Sequence, residues 1–278
     1  MKNRCLGAVL FLLSLPLAGQ LTAPKVGTVR YPDGSLHSVQ GLANNMIVCD
    51  LPFDGTDAAS FSDLGGIVSQ QGTIRLLNPD LSVAFEFKTG EPAPVLNMEG
   101  DLTSAIAWLP SQRTLLRWDG SKFVSFAIPQ ADLDGQVTNL QAVNSKQARL
   151  LVTGGDGTVS AITFSTRNGS LISSETLGGV RGYAFSQSFF FVYAENNELV
   201  VNNMNGYRRS VALPAPDLII ERMSGQWLHL QSPSLKQDWA LHLTQAQLEL
   251  SILPAIETGK TGTAATVVAL RPSTGEPK

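Results

Sequence analysis

Residues 137–177 read VTNLQAVNSKQARLLVTGGDGTVSAITFSTRNGSLISSETL. Four apolar, β-branched runs stand out in it: VTNLQAV, RLLVTGG, TVSAITF and SLISSETL. They are separated by NSKQA, by Asp156-Gly157 and by a turn around Asn168-Gly169. Val, Ile and Thr at a two-residue period suit a pleated surface with one face buried, and Asp-Gly or Asn-Gly accepts the left-handed backbone that a tight hairpin requires. The stretch therefore predicts four strands joined by three tight turns. The next segment repeats the pattern with GYAFSQS, FFFVYAE, a turn at Asn196-Asn197, ELVVNNM, a turn at Asn205-Gly206, and RSVALP.

Working outward, the middle turns fall at Gly72, Arg113, Gly157, Asn197 and Gln237, with spacings of 41, 44, 40 and 40 residues. A recurrence near 40 residues with four strands per unit is the signature of β-propeller blades. One four-stranded sheet cannot cover both of its faces, so such units pack face to face around an axis until the ring closes. Five units are expected, at about 43–87, 94–128, 136–177, 180–213 and 216–253. The hairpin VGTVRYPDGSLHSV (26–39) and the strand TAATVVAL (263–270) then share a sixth blade that stitches head to tail. The expectation is an all-β propeller of about six four-stranded blades over 21–271. A five-bladed ring is the alternative.

Residues 149–177 resemble repeats of the WD-repeat and quinoprotein-like propeller superfamily, in which an apolar strand meets a Gly-Asp-Gly turn and a second strand. The resemblance implies the architecture alone. The Trp-Asp dipeptide and the glycine-tryptophan docking motifs are absent, so no cofactor is carried over.

Composition agrees. The 278 residues are 43% hydrophobic but only 15% charged, with 25 Gly and 15 Pro, which favours short strands and turns over salt-bridged helices and excludes a disordered chain. A net charge of −3 without a basic run argues against nucleic acid as partner. MKNRCLGAVLFLLSLPLAGQ (1–20) sets Lys2 and Arg4 before an apolar stretch too short to span a bilayer, the layout of a secretory signal. The expected mature chain is secreted or periplasmic, monomeric and not membrane-bound, with a disordered tail at 272–278. Its one remaining thiol, Cys49, lies in the apolar run MIVC and is expected as a small buried hydrophobe.

The residues of known chemistry do not assemble in the sequence. Asp132-Leu133-Asp134-Gly135 begins like a calcium loop but lacks the distal bidentate acid, and the expected metal and cofactor are none. His37, His229 and His242 are the only imidazoles, and no Gly-x-Ser-x-Gly elbow accompanies them, so no catalytic residue is assigned. Aromatic residues in the strands, Trp108 and Trp118 among them, are read as packing between blades. Trp227 and Trp239, beside polar turns, are read as the more exposed pair.

Interblade connections and middle hairpins open on one face of a propeller, where loops escape the packing constraints of strands. Here that face would present Gln71 and the candidate ligand-binding residues Arg113, Asp132, Asp134, Asp156, Arg181, Glu195, Asp217 and Lys236. Mixed signs suggest a protein or glycan partner and a binding module without catalytic activity. The alternative is a propeller hydrolase or lyase on extracellular polysaccharide, with its acid and base drawn from Asp101, Asp217 and Glu221.

Overall fold

The computed structural model describes residues 23–177, 184–187, 190–203, 206–244 and 248–256. It holds six antiparallel sheets whose strands follow one another in chain order. The first has three described strands, β1 (Lys25–Arg30), β2 (Leu36–Leu42) and β3 (Asn45–Asp50). The second comprises β4 (Ala58–Ser62), β5 (Gly65–Gln70), β6 (Thr73–Leu77) and β7 (Val83–Lys88). The third comprises β8 (Val95–Asn97), β9 (Ile106–Leu109), β10 (Thr114–Trp118) and β11 (Phe123–Ala127). The fourth comprises β12 (Gln136–Asn144), β13 (Gln147–Thr153), β14 (Val159–Ser165) and β15 (Leu171–Thr176). The fifth comprises β16 (Ala184–Gln187), β17 (Phe190–Glu195), β18 (Glu198–Asn203) and β19 (Arg208–Ala212). The sixth comprises β20 (Ile219–Arg222), β21 (Trp227–Ser232), β22 (Gln237–Leu243) and β23 (Leu248–Ile252).

The sheets are the blades of a six-bladed β-propeller, as six apolar clusters show, one at each interface. Leu36 meets Phe61 and Val68 between blades 1 and 2, and Ile74 and Leu76 meet Ala107 and Leu116 between blades 2 and 3. Leu115 meets Leu140 and Leu150, Ala161 meets Tyr193 and Val200, and Leu199 meets Leu228 and Leu241 at the next three. The sixth cluster joins Val29 and Val39 of blade 1 to Met223 and Ala240 of blade 6 and closes the ring. Each four-stranded sheet is thus covered on both faces, the condition that a blade alone cannot meet. Burial decays outward: β14 is mostly buried, whereas every residue of the outermost strand β15 is exposed.

The repeat register is set by backbone conformation. Gln71 and Gly72, Arg113, Gly157, Asn196 and Asn197, and Lys236 all have positive φ at the turn between the second and third strands of their blades. In blade 6 the left-handed residue is Lys236, one position before the Gln237 that the sequence pattern selects. Blade 1 takes a larger share of the chain than expected. The segment assigned to the unit 43–87 is divided, because β3 pairs with β2 through Val39 and Val48, and blade 2 begins at β4. The strand expected at 263–270, the leader and the terminal tail lie outside the described residues. Among the described residues no helix is long and apolar enough to cross a membrane.

Cys49 departs from expectation. It is a free, exposed thiol on β3, because one side of a strand at the rim of its sheet faces solvent even where the sequence is apolar throughout. Trp239 is buried at 7% exposure, joining Trp108 and Trp118 in the interblade packing, while half-buried Trp227 stacks on His242 at 4.1 Å.

At the seam the two ends of the ring approach through backbone. Thr28 N donates to Met223 O at 3.1 Å, and a Cβ added at Gly27 would stand 2.5 Å from that same carbonyl. Gly27→Ala should therefore destabilise the chain by roughly 1–3 kcal/mol, the usual cost of overpacking. Gly155→Ala, whose Cβ would meet nothing within 4 Å, should stay within about 0.5 kcal/mol of the parent in the same urea titration.

Candidate functional site

The connection between blades and the turn between second and third strands emerge at the same end of the strands, and the expected site residues distribute along that loop face. Arg113 folds over the connection from blade 3 to blade 4, its Nη2 donating to Pro129 O at 3.4 Å and Leu133 O at 3.5 Å. That brings it beside Asp132, on a short 3-10 turn (Gln130–Asp132), and Asp134, which is exposed. Asp217 accepts from Ser232 Oγ at 2.6 Å and Ser234 N at 2.7 Å, which ties it to the turn carrying exposed Lys236. The Ser232 bond, with those to Ser234, holds the Asp217 carboxyl below its ordinary range.

Asp156 and Glu195 are occupied locally. Asp156 accepts from the Thr158 amide and hydroxyl at 2.8 and 2.7 Å, and Glu195 pairs with Arg208 at 2.5 Å. Arg181 lies outside the described residues. Two groupings therefore form, Arg113 with Asp132 and Asp134, and Asp217 with Lys236.

The acids of the hydrolase alternative do not converge. Asp101 caps a 3-10 turn (Leu102–Ser104) between first and second strands, at the end of the blades opposite Asp217. Glu221 is taken by Arg30 in a 2.6 Å ion pair. Among the described residues no three His, Cys, Asp or Glu side chains gather as a metal ion would need.

The axis holds a group that the sequence reading does not single out. Arg222, at the end of β20, is 2% exposed and points across the ring centre. Its Nε donates to Asn97 Oδ1 at 3.2 Å and its Nη2 to Glu99 Oε1 at 2.8 Å, both at or just beyond β8. Gln141 of β12 donates to both Glu99 oxygens, Asn97 donates to Leu140 O, and Ser60 of β4 donates to Asn97 Oδ1. The guanidinium also lies 5.4 Å from the Phe185 ring of β16. Burial pushes Arg222 down to about 10, against the opposing pull of Glu99, so it stays charged at neutral pH. Arg222 thus links blade 6 to blades 3 and 5, and Asn97 and Glu99 carry the network on to blades 2 and 4. The only sequence signal is a cation inside the apolar first strand of blade 6, IIER.

A second arrangement missed by sequence sits in blade 1. Ser35 Oγ lies 2.7 Å from His37 Nε2, and His37 Nδ1 lies 3.1 Å from Asp50 Oδ1, an order of groups that resembles a nucleophilic triad. The detail does not fit one. Ser35 Oγ lies 2.5 Å from Asp33 Oδ1, a carboxylate that competes for the hydroxyl proton, and the approach of Nδ1 to Asp50 is outside hydrogen-bonding geometry. Burial lowers the His37 pKa despite Asp50 and Asp33 nearby. Ser35, just before β2, and His37 within it are two apart in sequence, but Asp50 arrives only through the pairing of His37 with Asp50 across β2 and β3.

No protein-family model matches the chain, and no curated protein is similar to it in sequence. Solved structures are similar in fold. One of a nidogen/laminin complex gives a TM-score of 0.53 at 9% identity, covering 82% of this chain and 92% of that one. Virginiamycin B lyase from Staphylococcus aureus gives 0.46 at 13% identity, covering 84% and 85%, and Hsv2p of Kluyveromyces lactis gives 0.41 at 12%, covering 83% and 97%. At 9% identity the likeness to the nidogen/laminin structure is one of fold alone.

Two outcomes follow. Arg222→Leu strands the Glu99 carboxylate and should cost about 3–5 kcal/mol, with the double variant Arg222→Leu/Glu99→Leu losing less than the sum of the singles in a urea-denaturation cycle. The lowered His37 pKa means that the unfolded chain binds the proton more tightly. Stability is then fully present above the ordinary histidine range near 6.5 and is lost as pH falls through the folded value, and His37→Gln should flatten that acid limb.

Proposed function

We propose that this propeller is a secreted or periplasmic binding protein that engages a protein or glycan at its loop face and performs no chemistry. The observation that carries the reading is Leu235, 56% exposed on the middle turn of blade 6 with its backbone tied down. Its amide donates to Ser232 Oγ at 3.1 Å, and Ser232 in turn donates to Asp217. Ile219, at 42% exposure, begins the neighbouring strand at the same end of the blade, and Lys236 and Asp217 flank the pair with opposite charges. A turn whose backbone is fixed before binding loses less freedom on contact, and a polar border supplies specificity. The grouping of Arg113, Asp132 and Asp134 lies on the same face across the ring from blade 6.

The hydrolase or lyase alternative requires two carboxylates about 5 to 10 Å apart at one pocket. Asp101 and Asp217 stand at opposite ends of the blades and Glu221 is paired with Arg30, which removes its support.

The test presents the full chain to envelope and culture-medium proteins and to a glycan array. Leu235→Asp with Lys236→Glu should weaken capture by at least about tenfold, the loss of one anchoring contact, while Lys146→Glu on the opposite face leaves it unchanged. Capture insensitive to the loop-face change, or lost only in the Lys146 variant, would overturn the proposal.

A further inference from the structure

Between blades 3 and 4, at the end of the strands opposite the loop face, lies a cavity of about 370 Å³. Its position is set by one departure from the repeat. Four residues after the left-handed turn residue, the third strand of a blade points at the next blade. Blades 2, 4, 5 and 6 place Leu76, Ala161, Val201 and Ala240 there, all buried in interblade clusters. Blade 3 places Arg117. A guanidinium replaces the last apolar contact of the layer headed by Leu115, and the layer opens into the cavity.

Arg117 is poorly served where it sits. Its Nε is buried without a partner, Nη1 reaches Thr166 Oγ1 at only 3.5 Å, and Nη2 hydrogen-bonds nothing among the described residues. Burial is the cause that lowers its pKa, with no acid offsetting it. The nearest acid in the lining, Asp119, is turned to its own hairpin, where Oδ1 accepts from the Ser121 amide and hydroxyl and from the Lys122 amide. Val124, the cross-strand partner of Arg117, and Phe126 continue the same face of blade 3 as an apolar floor, and blade 4 faces them with Ser145 and Thr166. Lys146 and Arg167, next to those two in sequence, are exposed and in no ion pair among the described residues.

We propose that this cavity binds a small organic monoanion, a carboxylate bearing an apolar group. The carboxylate would accept from the outward edge of Arg117 and from the Ser145 hydroxyl, Thr166 Oγ1 being engaged as donor to Ser145 O at 3.2 Å, while the apolar group lies on Val124 and Phe126. Asp119 decides the charge: a dianion such as a phosphate would face it at close range, whereas a single negative charge balances Arg117. The site is at the other end of the blades from the loop face, so it goes beyond the binding role proposed above, and neither fails with the other.

The probe is benzoate, with benzamide as its neutral counterpart, titrated into the full chain by calorimetry. Benzoate should bind in the millimolar range or tighter, as a contact this small allows, and benzamide at least about tenfold more weakly. Arg117→Met should cost benzoate a similar factor. Val124→Phe, which fills the cavity from its apolar floor and leaves the arginine in place, should abolish binding and keeps the test open should the arginine variant misfold. Absence of benzoate binding to the parent chain, equal binding of benzamide, or binding unaffected by Val124→Phe would overturn the proposal.

Discussion

The ring depends on one stretch of contact, that of β1 against Met223. Each of the other interfaces joins blades adjacent in sequence, so the chain delivers their partners to one another. The interface between blades 6 and 1 joins the first described strand to the last described blade, and the chain beyond β23 lies along it, with Tyr31 Oη donating to Pro254 O at 2.9 Å and Leu253 in the same apolar cluster. It rests on a backbone hydrogen bond from Thr28 to Met223, on a glycine that lets the two main chains approach, and on the apolar layer of Val29, Val39, Met223 and Ala240. Without it the outer faces of blades 1 and 6 would both be bare, and two apolar sheet surfaces in water are untenable for a chain whose charged residues are only 15%.

Consecutive residues serve the seam and the centre. Met223 offers its carbonyl to β1, while Arg222 sends its side chain inward to Asn97 and Glu99. The two roles are coupled by geometry, because the position of β20 against β1 fixes where the guanidinium lies. A buried ion pair contributes little net stability compared with apolar filling of the same volume. What it adds is directional: the hydrogen bonds of Arg222, Asn97, Glu99 and Gln141 are satisfied in one arrangement of β4, β8, β12 and β20, whereas a greasy axis would tolerate several.

Much of the fold was legible because the turns are chemically constrained. A left-handed backbone favours Gly and Asn, and Gly72, Gly157 and Asn197 mark the middle turns in sequence as they do in space. Arg113 and Lys236 occupy the same conformation without such a marker, and the pattern slipped by one residue at the second of them. The unit beginning near 43 was misassigned because β3 and β4 both fall inside one 40-residue spacing, and only pairing shows that β3 belongs to blade 1. The position of the loop face was legible from topology alone. What converges at the axis was not, since Arg222, Glu99 and Gln141 are far apart in sequence and carry no spacing rule. Nor was the cavity, because Arg117 reads as an ordinary polar residue of a half-exposed strand until its blade is superposed on the others.

The ion pair between Arg30 and Glu221 spans 191 residues. Bringing chain segments that distant together costs about 4–5 kcal/mol of configurational freedom in the logarithmic part alone, far more than forming any single hairpin. The order of assembly follows: blades 2 to 5 can condense onto sequential neighbours, while the meeting of first and last is the slow, entropically uphill event. Among the described residues the same seam joins the segments most distant in sequence, so its closure orders more of the chain than any other single contact.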